Sequence, residues 1–323
     1  MLRHALRIWR GRHHDNRLHF RTFARMSRKI LYIINPIAGT RTKKDLQQFI
    51  EKRTADAGIP FQVFPSVASG DYSFLLSIIE EERFTDIVVA GGDGTISQVV
   101  SSLMQTKLNF GIIPCGSGNG LALAAGISKK PEKALEVVLT GKPSLIDGFT
   151  VNGHFACMLT GIGFDAKVAH EFSKQKTRGL KTYASLVSKN FFSADPYPFI
   201  VEANGLRFNT DAYFISIANS NQFGNNFTIA PKALLSDGYL DIVIAKKSSK
   251  PYLLFNLIKQ ILAGKLIKME SSLKQPVIYF QTEKIKILNP AEAPMHIDGD
   301  PAEMAAEVDV QILKSCFRLI QPV

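Results

Sequence analysis

The chain has 323 residues, of which 46% are hydrophobic and 21% are charged. This composition is typical of a folded globular protein and excludes a largely disordered one, and the length favours two domains. The formal net charge is +11, but residues 1–29 contain eight Arg and one Lys against a single acid, Asp15. Because the rest of the chain is close to neutral, no basic face remains for a nucleic acid, and we expect no nucleic-acid partner.

The basic tail, residues 1–28, mixes arginines with scattered apolar residues and has no continuous apolar run. It is consistent with an organelle-type transit segment, with an anchor on anionic lipid, or with translation that begins at Met26. Elsewhere no run approaches the roughly 18 apolar residues of a membrane-spanning helix, so any membrane contact is expected to be peripheral. The cysteines, Cys115, Cys157 and Cys316, form no Cys-x-x-Cys motif, which favours a reduced, cytoplasmic protein.

Four apolar strands alternate with helix-spaced segments between Lys29 and residue 145. The strands are predicted at "KILYIIN", "FQVFP", "DIVVA" and "FGIIP". The helices are predicted at "KKDLQQFIEKR", "DYSFLLSIIEEE", "TISQVVSSLM" and "NGLALAAGI". Continuous apolar strands separated by amphipathic helices predict a parallel sheet covered on both faces, that is, a doubly wound α/β domain.

The remainder of the chain has a different pattern. Asn-Gly pairs at residues 152–153 and 204–205 lie between strand-like runs and predict β-hairpins. Further strand-like runs follow at "YLDIVIA", "VIYFQ", "KIKIL" and "EVDVQIL". The second domain is therefore predicted to be mostly antiparallel, as a β-sandwich.

Two segments of this second part are predicted to be helical. The apolar helix "PYLLFNLIKQILAG" favours core packing, with the lining of an acyl-chain path as the alternative. The basic cluster "KQKTRGLK", residues 174–181, either faces anionic headgroups or is a solvated helix face.

Three glycine-rich loops follow strands of the predicted parallel sheet. They are "NPIAGT" (Asn35–Thr40), "GGDGT" (Gly91–Thr95) and "PCGSGNG" (Pro114–Gly120). Each leads toward a helix N-terminus, where bare backbone amides and the helix dipole favour an anion. Together they predict a phosphate site at the carboxyl edge of the sheet.

Asp93 lies in the middle of the second of these loops. A carboxylate there would repel a phosphate unless a cation mediates, and Mg²⁺ prefers carboxylate and phosphate oxygens. Neither a Walker motif nor a dinucleotide fingerprint is present. The loops and the acid together predict a nucleoside triphosphate, ATP, with Mg²⁺.

A second acidic cluster, "MHIDGDPAE", contains Asp298 and Asp300. Asp-Gly is a good turn, so a solvated hairpin is one interpretation. The other is functional, because phosphoryl transfer needs a carboxylate near the attacking hydroxyl.

Six motifs follow one another along the chain: "INPIAG", "VVAGGDGTISQVVSSL", "GIIPCGSGNGLA", "GIGFDA", "LSDGYLDI" and "IDGD". Taken together, these motifs resemble the diacylglycerol/sphingosine/ceramide kinase superfamily, and its soluble bacterial diacylglycerol-kinase-like branch best. The resemblance implies an N-terminal doubly wound α/β nucleotide-binding domain, a C-terminal antiparallel β-sandwich domain that binds lipid, and an active site in the cleft between them. The implied boundaries are residues 30–145 with about 308–323 for the first domain, and 146–307 for the second.

The resemblance also implies roles for individual residues. ATP and its phosphates would be bound by Asn35, Pro36, Gly39, Thr40, Gly91, Gly92, Gly94, Thr95, Gly116, Ser117, Gly118 and Asn119. Asp298 and Asp93 are both candidates for the catalytic base. The metal ligands would be Asp93, Asp300 and Asp237, and Asp165 falls near the position where sphingoid kinases bind the substrate amine.

Two departures from the bacterial pattern bear on the substrate. The chain has "GSGNGLA" where that branch usually has Gly-Thr-x-Asn-Asp, and Asp-Gly-Asp where it has Asp-Gly-Glu. The resemblance therefore predicts an ATP- and Mg²⁺-dependent lipid kinase with a membrane lipid substrate, either diacylglycerol or a sphingoid base. It also implies peripheral membrane contact, and dimers among similar proteins allow a homodimer. The alternatives are an NAD kinase-like enzyme with a soluble substrate and a non-catalytic lipid-binding homologue.

Overall fold

The computed structural model describes residues 28–35, 43–175, 180–222, 228–263 and 273–323. Apart from Arg28, the predicted basic tail lies outside the described residues. So do Pro36, Gly39 and Thr40 of the first glycine loop and residues 176–179 of the basic cluster at 174–181. Within the described residues, no helix is long and apolar enough to cross a bilayer.

The first part of the chain forms the predicted α/β domain. Its strands are β1 (Ile30–Ile34), β2 (Phe61–Pro65), β3 (Asp86–Gly91) and β4 (Asn109–Pro114). All pair in parallel in the order β2-β1-β3-β4. The helices are α1 (Lys43–Asp56), α2 (Leu75–Glu81), α3 (Asp93–Leu103), α4 (Gly120–Ala124) and α5 (Pro131–Thr140). Helix α5 was not predicted, although Pro131 in its first turn is a common start signal.

The second part forms the predicted β-sandwich. Its strands are β5 (Lys142–Val151), β6 (His154–Ala156), β7 (Leu159–Gly163), β8 (Tyr197–Ala203), β9 (Leu206–Ala218), β10 (Leu240–Lys246), β11 (Val277–Thr282), β12 (Lys284–Leu288), β13 (Met295–Ile297), β14 (Asp300–Ala302) and β15 (Glu307–Gln321). The helices are α6 (Phe164–Ser173), α7 (Leu180–Phe191) and α8 (Lys250–Ala263). Both Asn-Gly hairpins are confirmed: they join β5 to β6 and β8 to β9, with positive φ at both turn residues.

The last strand, β15, connects the two sheets into one hydrogen-bonded network. Its first half pairs with β12, and its second half pairs in parallel with β4 through Arg318 and Leu319. Strand β5 runs antiparallel to β15 and shifts register between Leu313 and Phe317. The two domains therefore share a continuous backbone connection, while the exact domain boundaries stay predictions.

Buried carboxylates stabilise two places where this network changes direction. Asp147 accepts the amide N–H of Ser315, at the register shift of β15, over 2.6 Å and that of Gly238 over 2.7 Å. Asp86, at the start of β3, accepts a hydrogen bond from Arg28 Nε at 2.8 Å. Arg28 also donates to two carbonyls at the end of α5, so the first described residue is held firmly to the α/β domain.

The expectation that the helix beginning "PYLLFN" packs into the core is wrong for most of its described surface. Among the α8 residues whose side chains are described, 250–259, only Leu253 is fully buried, whereas Leu254, Phe255 and Ile258 are exposed. The helix lies against β10 and β11 with one face only, because the strands beneath it cover a single side.

Candidate active site

The glycine-rich loops meet at one edge of the α/β sheet, as the parallel order requires. Asn35 N donates to Ala90 O at 2.9 Å, and Cys115 N donates to Gly91 O at 2.8 Å. The Asn35 side chain continues this contact, because its Nδ2 donates to Thr95 Oγ1 at 2.9 Å. The described parts of the loops thus form one surface, which we call the glycine-loop edge: Asn35, Gly91–Thr95 and Pro114–Gly120.

Two glycines bring the second and third loops into backbone contact. A Cβ on Gly116 would lie 2.7 Å from Gly92 Cα, and a Cβ on Gly92 would lie 3.2 Å from Gly116 Cα. Real Cβ atoms do not approach backbone carbon at the first distance, so a side chain at Gly116 would push the loops apart. The glycines therefore leave an open backbone surface to which a ligand can approach closely.

Asn119 closes the third loop on itself. Its Oδ1 accepts the Gly116 N–H at 2.9 Å, and its Nδ2 donates to Gly116 O at 2.7 Å. Asn119 has a φ of 58°, in the left-handed region that asparagine tolerates. Ser117 is exposed and Gly118 is partly exposed at the tip of the loop, so Asn119 shapes the loop while the tip remains accessible.

Asp93 is the first residue of α3 and is preceded by the extended Gly92. Burial raises the pKa of Asp93, the backbone N–H groups of Gly120 and Leu121 oppose that rise, and the nearby charge of Asp298 adds to it. Its Oδ1 atom is buried and has no hydrogen-bond partner among the described residues. A buried carboxylate oxygen in this state is a suitable ligand for a cation.

Asp298 joins the β13–β14 hairpin to the start of β7. Its Oδ1 accepts the N–H groups of Met158 and Leu159 at 2.9 and 3.0 Å. Its Oδ2 accepts Cys157 N–H at 3.0 Å and Ser97 Oγ–H at 2.7 Å. These four N–H and O–H donors hold the Asp298 carboxylate, and with it the hairpin, in place, while its catalytic role stays a prediction.

Asp300 lies two residues further on and is exposed at the edge of the cleft. Its Oδ2 is 2.9 Å from the place where a Cβ on Gly94 would be. Glycine at position 94 therefore allows the acidic hairpin to approach the N-terminus of α3. Asp300, from the sandwich, therefore lies beside the residue that follows Asp93 in the chain.

Asp165 is buried away from the cleft. It lies in the first turn of α6, accepts the Ala166 N–H, and faces His296 Nε2 at 3.7 Å. His296 accepts the Gly299 N–H on Nδ1 at 3.3 Å. Burial raises the pKa of Asp165, which the neighbouring His296 opposes. The pair therefore lies behind the hairpin that carries Asp298 and Asp300, and the substrate-binding role of Asp165 stays an untested prediction.

Asp237 lies in a second acidic site, in the turn before β10. Gln281 Nε2 donates to both Asp237 Oδ2, at 3.0 Å, and Asp241 Oδ2, at 3.1 Å. Burial raises the pKa of Asp241 to about 6. In the described part of the chain, no three His, Cys, Asp or Glu side chains converge to hold a metal ion by themselves. A cation at either site would therefore need oxygens from water, backbone or nucleotide.

A cavity of about 610 Å³ lies between the two domains, and we call it the acceptor cavity. Residues of α3, the β5–β6 turn and the β13–β14 hairpin line it. They are Gly94, Ser97, Gln98, Val151, Asn152, His154, Met295, Ile297, Asp298, Asp300, Pro301, Ala302, Glu303, Met304 and Ala305. The lining is mixed, with apolar side chains beside carboxylates, and Gly94 and Asp300 form its border with the glycine-loop edge.

Two family models match the chain and together cover most of it. The first, described as the diacylglycerol kinase catalytic domain, matches residues 29–151. The second, described as the YegS C-terminal NAD kinase beta sandwich-like domain, matches residues 159–321. The chain belongs to the diacylglycerol kinase family of lipid kinases. The family predicted from the motifs is thereby confirmed, and the protein is an enzyme of the ATP-dependent phosphotransferase class.

Relatives of this kinase extend over most of its length. A diacylglycerol kinase of Bacillus subtilis is 28% identical over 275 residues, which are 83% of this chain and 88% of the relative. A protein of Shewanella frigidimarina named "Probable lipid kinase YegS-like" is 29% identical over 245 residues, 73% of this chain and 76% of the relative. The crystal structure of a diacylglycerol kinase from Bacillus anthracis superimposes with a TM-score of 0.70 at 19% identity, covering 91% of this chain and 96% of that one. The structural similarity bears on the fold alone.

Three residues of this kinase were not found from the sequence: Ser97, which lines the cavity, and His296 and Gly161, which lie behind the hairpin. Ser97 lies one helical turn after Asp93, a spacing that places both on one face of α3 and was available as a signal. Gly161 has no such signal: a Cβ there would overlap Asp165 Oδ2 and lie 2.6 Å from His296 Nε2. Only the packing of β7 against β13 shows why this residue is glycine.

Proposed function

We propose that this protein transfers the γ-phosphoryl group of ATP to the hydroxyl of a membrane lipid at the border between the glycine-loop edge and the acceptor cavity. The observation that carries the proposal is the approach of Asp300 Oδ2 to Gly94. It places an acid from the sandwich beside the helix N-terminus that follows the phosphate-type loop. Phosphoryl transfer requires one surface that holds the phosphates and a second surface that presents the acceptor hydroxyl.

The glycine-loop edge supplies the nucleotide side. Backbone N–H groups at Gly92 and Gly94 are not covered by side chains of their own and can donate to phosphate oxygens. Asn35 and Thr95 are hydrogen-bonded to each other, so they keep the first and second loops together. Because these donors are in place before the reaction, they stabilise charge on the phosphoryl oxygens without further reorganisation.

Mg²⁺ fits the Asp93 side of this border. The buried Oδ1 atom, which lacks a hydrogen-bond partner in the described residues, is the feature that supports an ion there. Asp93 would hold the ion together with phosphate oxygens and water, and the resemblance adds Asp300 as a second ligand. When bound, Mg²⁺ supplies positive charge that stabilises the transferring phosphoryl group.

We assign the proton-accepting role to Asp300 and the positioning role to Asp298. The Asp298 carboxylate already accepts four hydrogen bonds, which leaves it poorly placed to take a proton from an incoming hydroxyl. Asp300 lines the acceptor cavity and borders Gly94. Its carboxylate is therefore the better placed of the two to orient the acceptor hydroxyl and receive its proton.

The lining of the acceptor cavity favours an amphipathic acceptor. Val151, Met295, Ile297 and Met304 offer apolar surface within the same cavity that contains Asp300. A lipid would place its chain on the apolar part and its hydroxyl at the acid. A lipid acceptor also requires contact with a membrane surface, which we include in the proposal.

The test is phosphoryl transfer from γ-labelled ATP to diacylglycerol, sphingosine, ceramide and NAD, assayed in parallel. We expect labelled lipid and no labelled NAD, and labelled NAD alone would contradict the proposal. Asp93→Asn and Asp300→Asn are each expected to lower kcat by about 100-fold or more. Asp195→Asn, at an exposed carboxylate outside the cavity lining, is the matched control and should retain full activity.

A magnesium titration of the Asp300→Asn variant separates the two roles of Asp300. If Asp300 accepts the proton, kcat stays low at saturating Mg²⁺ and the Mg²⁺ requirement is unchanged. If high Mg²⁺ restores kcat, Asp300 is a metal ligand and the proton-accepting role is wrong.

A further inference from the structure

We propose that the outer face of α8, together with Phe192 at the end of α7, docks the protein on an anionic lipid bilayer. We call this surface the docking face: Phe192, Tyr252, Leu254, Phe255 and Ile258. The inference deepens the proposed function, because an enzyme that phosphorylates a membrane lipid has to approach the bilayer. It does not follow from that function alone, since any other surface of the molecule could serve.

The docking face is apolar and exposed. The exposed fractions are 66% for Phe192, 54% for Tyr252, 44% for Leu254, 64% for Phe255 and 50% for Ile258. At 100° per residue, Leu254, Phe255 and Ile258 lie on one side of the helix, opposite the buried Leu253. Large apolar residues that cluster on one exposed helix face mark an interaction site, whereas scattered ones do not.

Phe192 and the start of α8 belong to the same surface. Lys250 Nζ, at the N-terminus of α8, donates to the carbonyl oxygen of Phe192 and lies 5.7 Å from the centre of the Tyr213 ring. The neighbouring Phe191 points inward and packs against Phe164 of α6. The end of α7 thus places one phenylalanine in the core and the next in solvent beside α8.

The charged residues of α8 and of the segment that leads into it are all lysines, and Asp211 of β9 lies beside one of them, with its Oδ2 3.9 Å from Lys247 Nζ. Residues 246–259 contain four lysines, at positions 246, 247, 250 and 259, and no acid. Lys246 and Lys250 donate to backbone carbonyls, while Lys247 is 64% exposed and Lys259 is exposed. Apolar side chains flanked by lysines fit the interface of an anionic bilayer, where the chains enter the acyl region and the lysines meet the headgroups.

The same lysines argue against a second copy of this chain as the occupant. A two-fold symmetric dimer through α8 would bring the docking face against itself and place lysine opposite lysine. Like charges across such an interface are unfavourable. The bilayer is therefore the occupant that the charge pattern favours.

The docking face is connected to the acceptor cavity through the interior of the sandwich. Phe191 packs against α6, and α6 packs against β13 and β14, the strands that flank Asp298 and Asp300. Docking through α8 would therefore anchor the domain that presents the acceptor.

The test is flotation of the full chain with vesicles of phosphatidylcholine containing 0 or about 30% phosphatidylglycerol, a content that gives the anionic surface potential required. We expect binding to the anionic vesicles and at least about a tenfold loss of the partition coefficient in Phe255→Asn/Ile258→Asn, because two apolar side chains no longer enter the bilayer. Lys247→Glu/Lys259→Glu should weaken binding only to anionic vesicles. Phe74→Asn, at an exposed phenylalanine of the α/β domain, is the matched control and should bind like the unchanged protein.

Three outcomes would overturn the proposal: no binding of the unchanged protein to anionic vesicles, equal binding of Phe255→Asn/Ile258→Asn, or a dimer that these substitutions convert to a monomer. The substituted side chains are exposed, so the thermal midpoint should be unchanged and a folding failure is visible separately. Turnover of a short-chain, monomerically dispersed lipid should not change in these variants. Absence of turnover with every lipid would contradict the proposed function. The vesicle measurement would still show whether the docking face binds an anionic bilayer.

Discussion

Ser97 and Asp298 join the α/β domain to the β-sandwich: Ser97 Oγ donates to Asp298 Oδ2 over 2.7 Å, although 201 positions separate the two residues. Ser97 lies one turn into the helix that begins with Asp93, and Asp298 lies in the hairpin that carries Asp300. The hydrogen bond therefore joins the helix that begins with Asp93 to the hairpin that carries Asp300. It also explains how a turn formed by Asp298 and Gly299, both at positive φ, is held in a single orientation.

We expect Asp298→Ala to lower the free energy of unfolding by about 3 kcal/mol or more, because three buried N–H groups lose their acceptor. Ser97→Ala should cost only about 1 kcal/mol, since it removes one hydroxyl donor. Urea unfolding of both single variants and of the double variant measures the coupling. If Asp298→Ala leaves stability unchanged and abolishes only turnover, Asp298 acts in catalysis and the positioning role is wrong.

Replacement of Gly116 by alanine should weaken ATP binding. The new Cβ would meet Gly92 Cα at 2.7 Å, and overpacking of this kind costs about 1–3 kcal/mol. If the loops separate in the free protein and must come together to bind ATP, only the bound state carries this strain. The range then corresponds to roughly a 5- to 150-fold increase in the Kd for ATP. Calorimetric titration with ATP and Mg²⁺ measures it. Ser117→Ala, at the exposed tip of the same loop, serves as the control. An unchanged Kd for Gly116→Ala would mean that ATP binding does not require contact between the second and third loops.

The stability of the β-sandwich should depend on pH through Asp241. Burial raises the folded-state pKa of this carboxyl from 3.8 to about 6, so between these values the folded protein binds more protons than the unfolded one. The contribution of Asp241 is therefore fully present below about pH 4 and is lost as the pH rises through 6, by up to about 3 kcal/mol. Unfolding in EDTA from pH 4 to 7 measures this slope.

Asp241→Asn is the comparison for that pH series, and it should reduce the slope at little cost in packing. Added Mg²⁺ tests the predicted role of Asp237 as a metal ligand, since an ion at the Asp237–Asp241 pair would stabilise the charged form and reduce the same slope. A slope that is identical with Mg²⁺ and with EDTA would contradict a metal site there.

Asp165 offers a choice between two roles. If it acts through His296 on the hairpin, Asp165→Ala should lower kcat and stability together, while the KM values for diacylglycerol and sphingosine keep their ratio. A substrate-binding role predicts the opposite, a selective rise in KM for lipids that carry an amine. Kinetics with both lipids, together with the thermal midpoint, separate the two, and His296→Ala should reproduce the Asp165→Ala phenotype only if the pair acts as a unit.

Much of the fold and of the nucleotide side follows from local patterns in the chain. The apolar runs of β1, β3 and β4, the helical spacing in α3 and the Asn-Gly hairpins all depend on neighbours within a few positions, and the structure confirms them. The described parts of the three glycine loops share an edge because parallel strands must end on the same side of a sheet. Residues such as Asp93 could therefore be predicted without coordinates, since their position relative to strand and helix follows from sequence order.

The sequence by itself determined the identity and order of these elements and the family of the chain, because each of these depends on contiguous segments. Only the tertiary structure decided the different surroundings of Asp298 and Asp300, the burial of Asp165 behind the hairpin and the exposure of one face of α8. Each of these depends on contacts between residues far apart in the chain, such as Ser97 with Asp298. The same carboxylate is solvated, structural or reactive according to which distant groups surround it, and that arrangement exists only after the two domains have packed together.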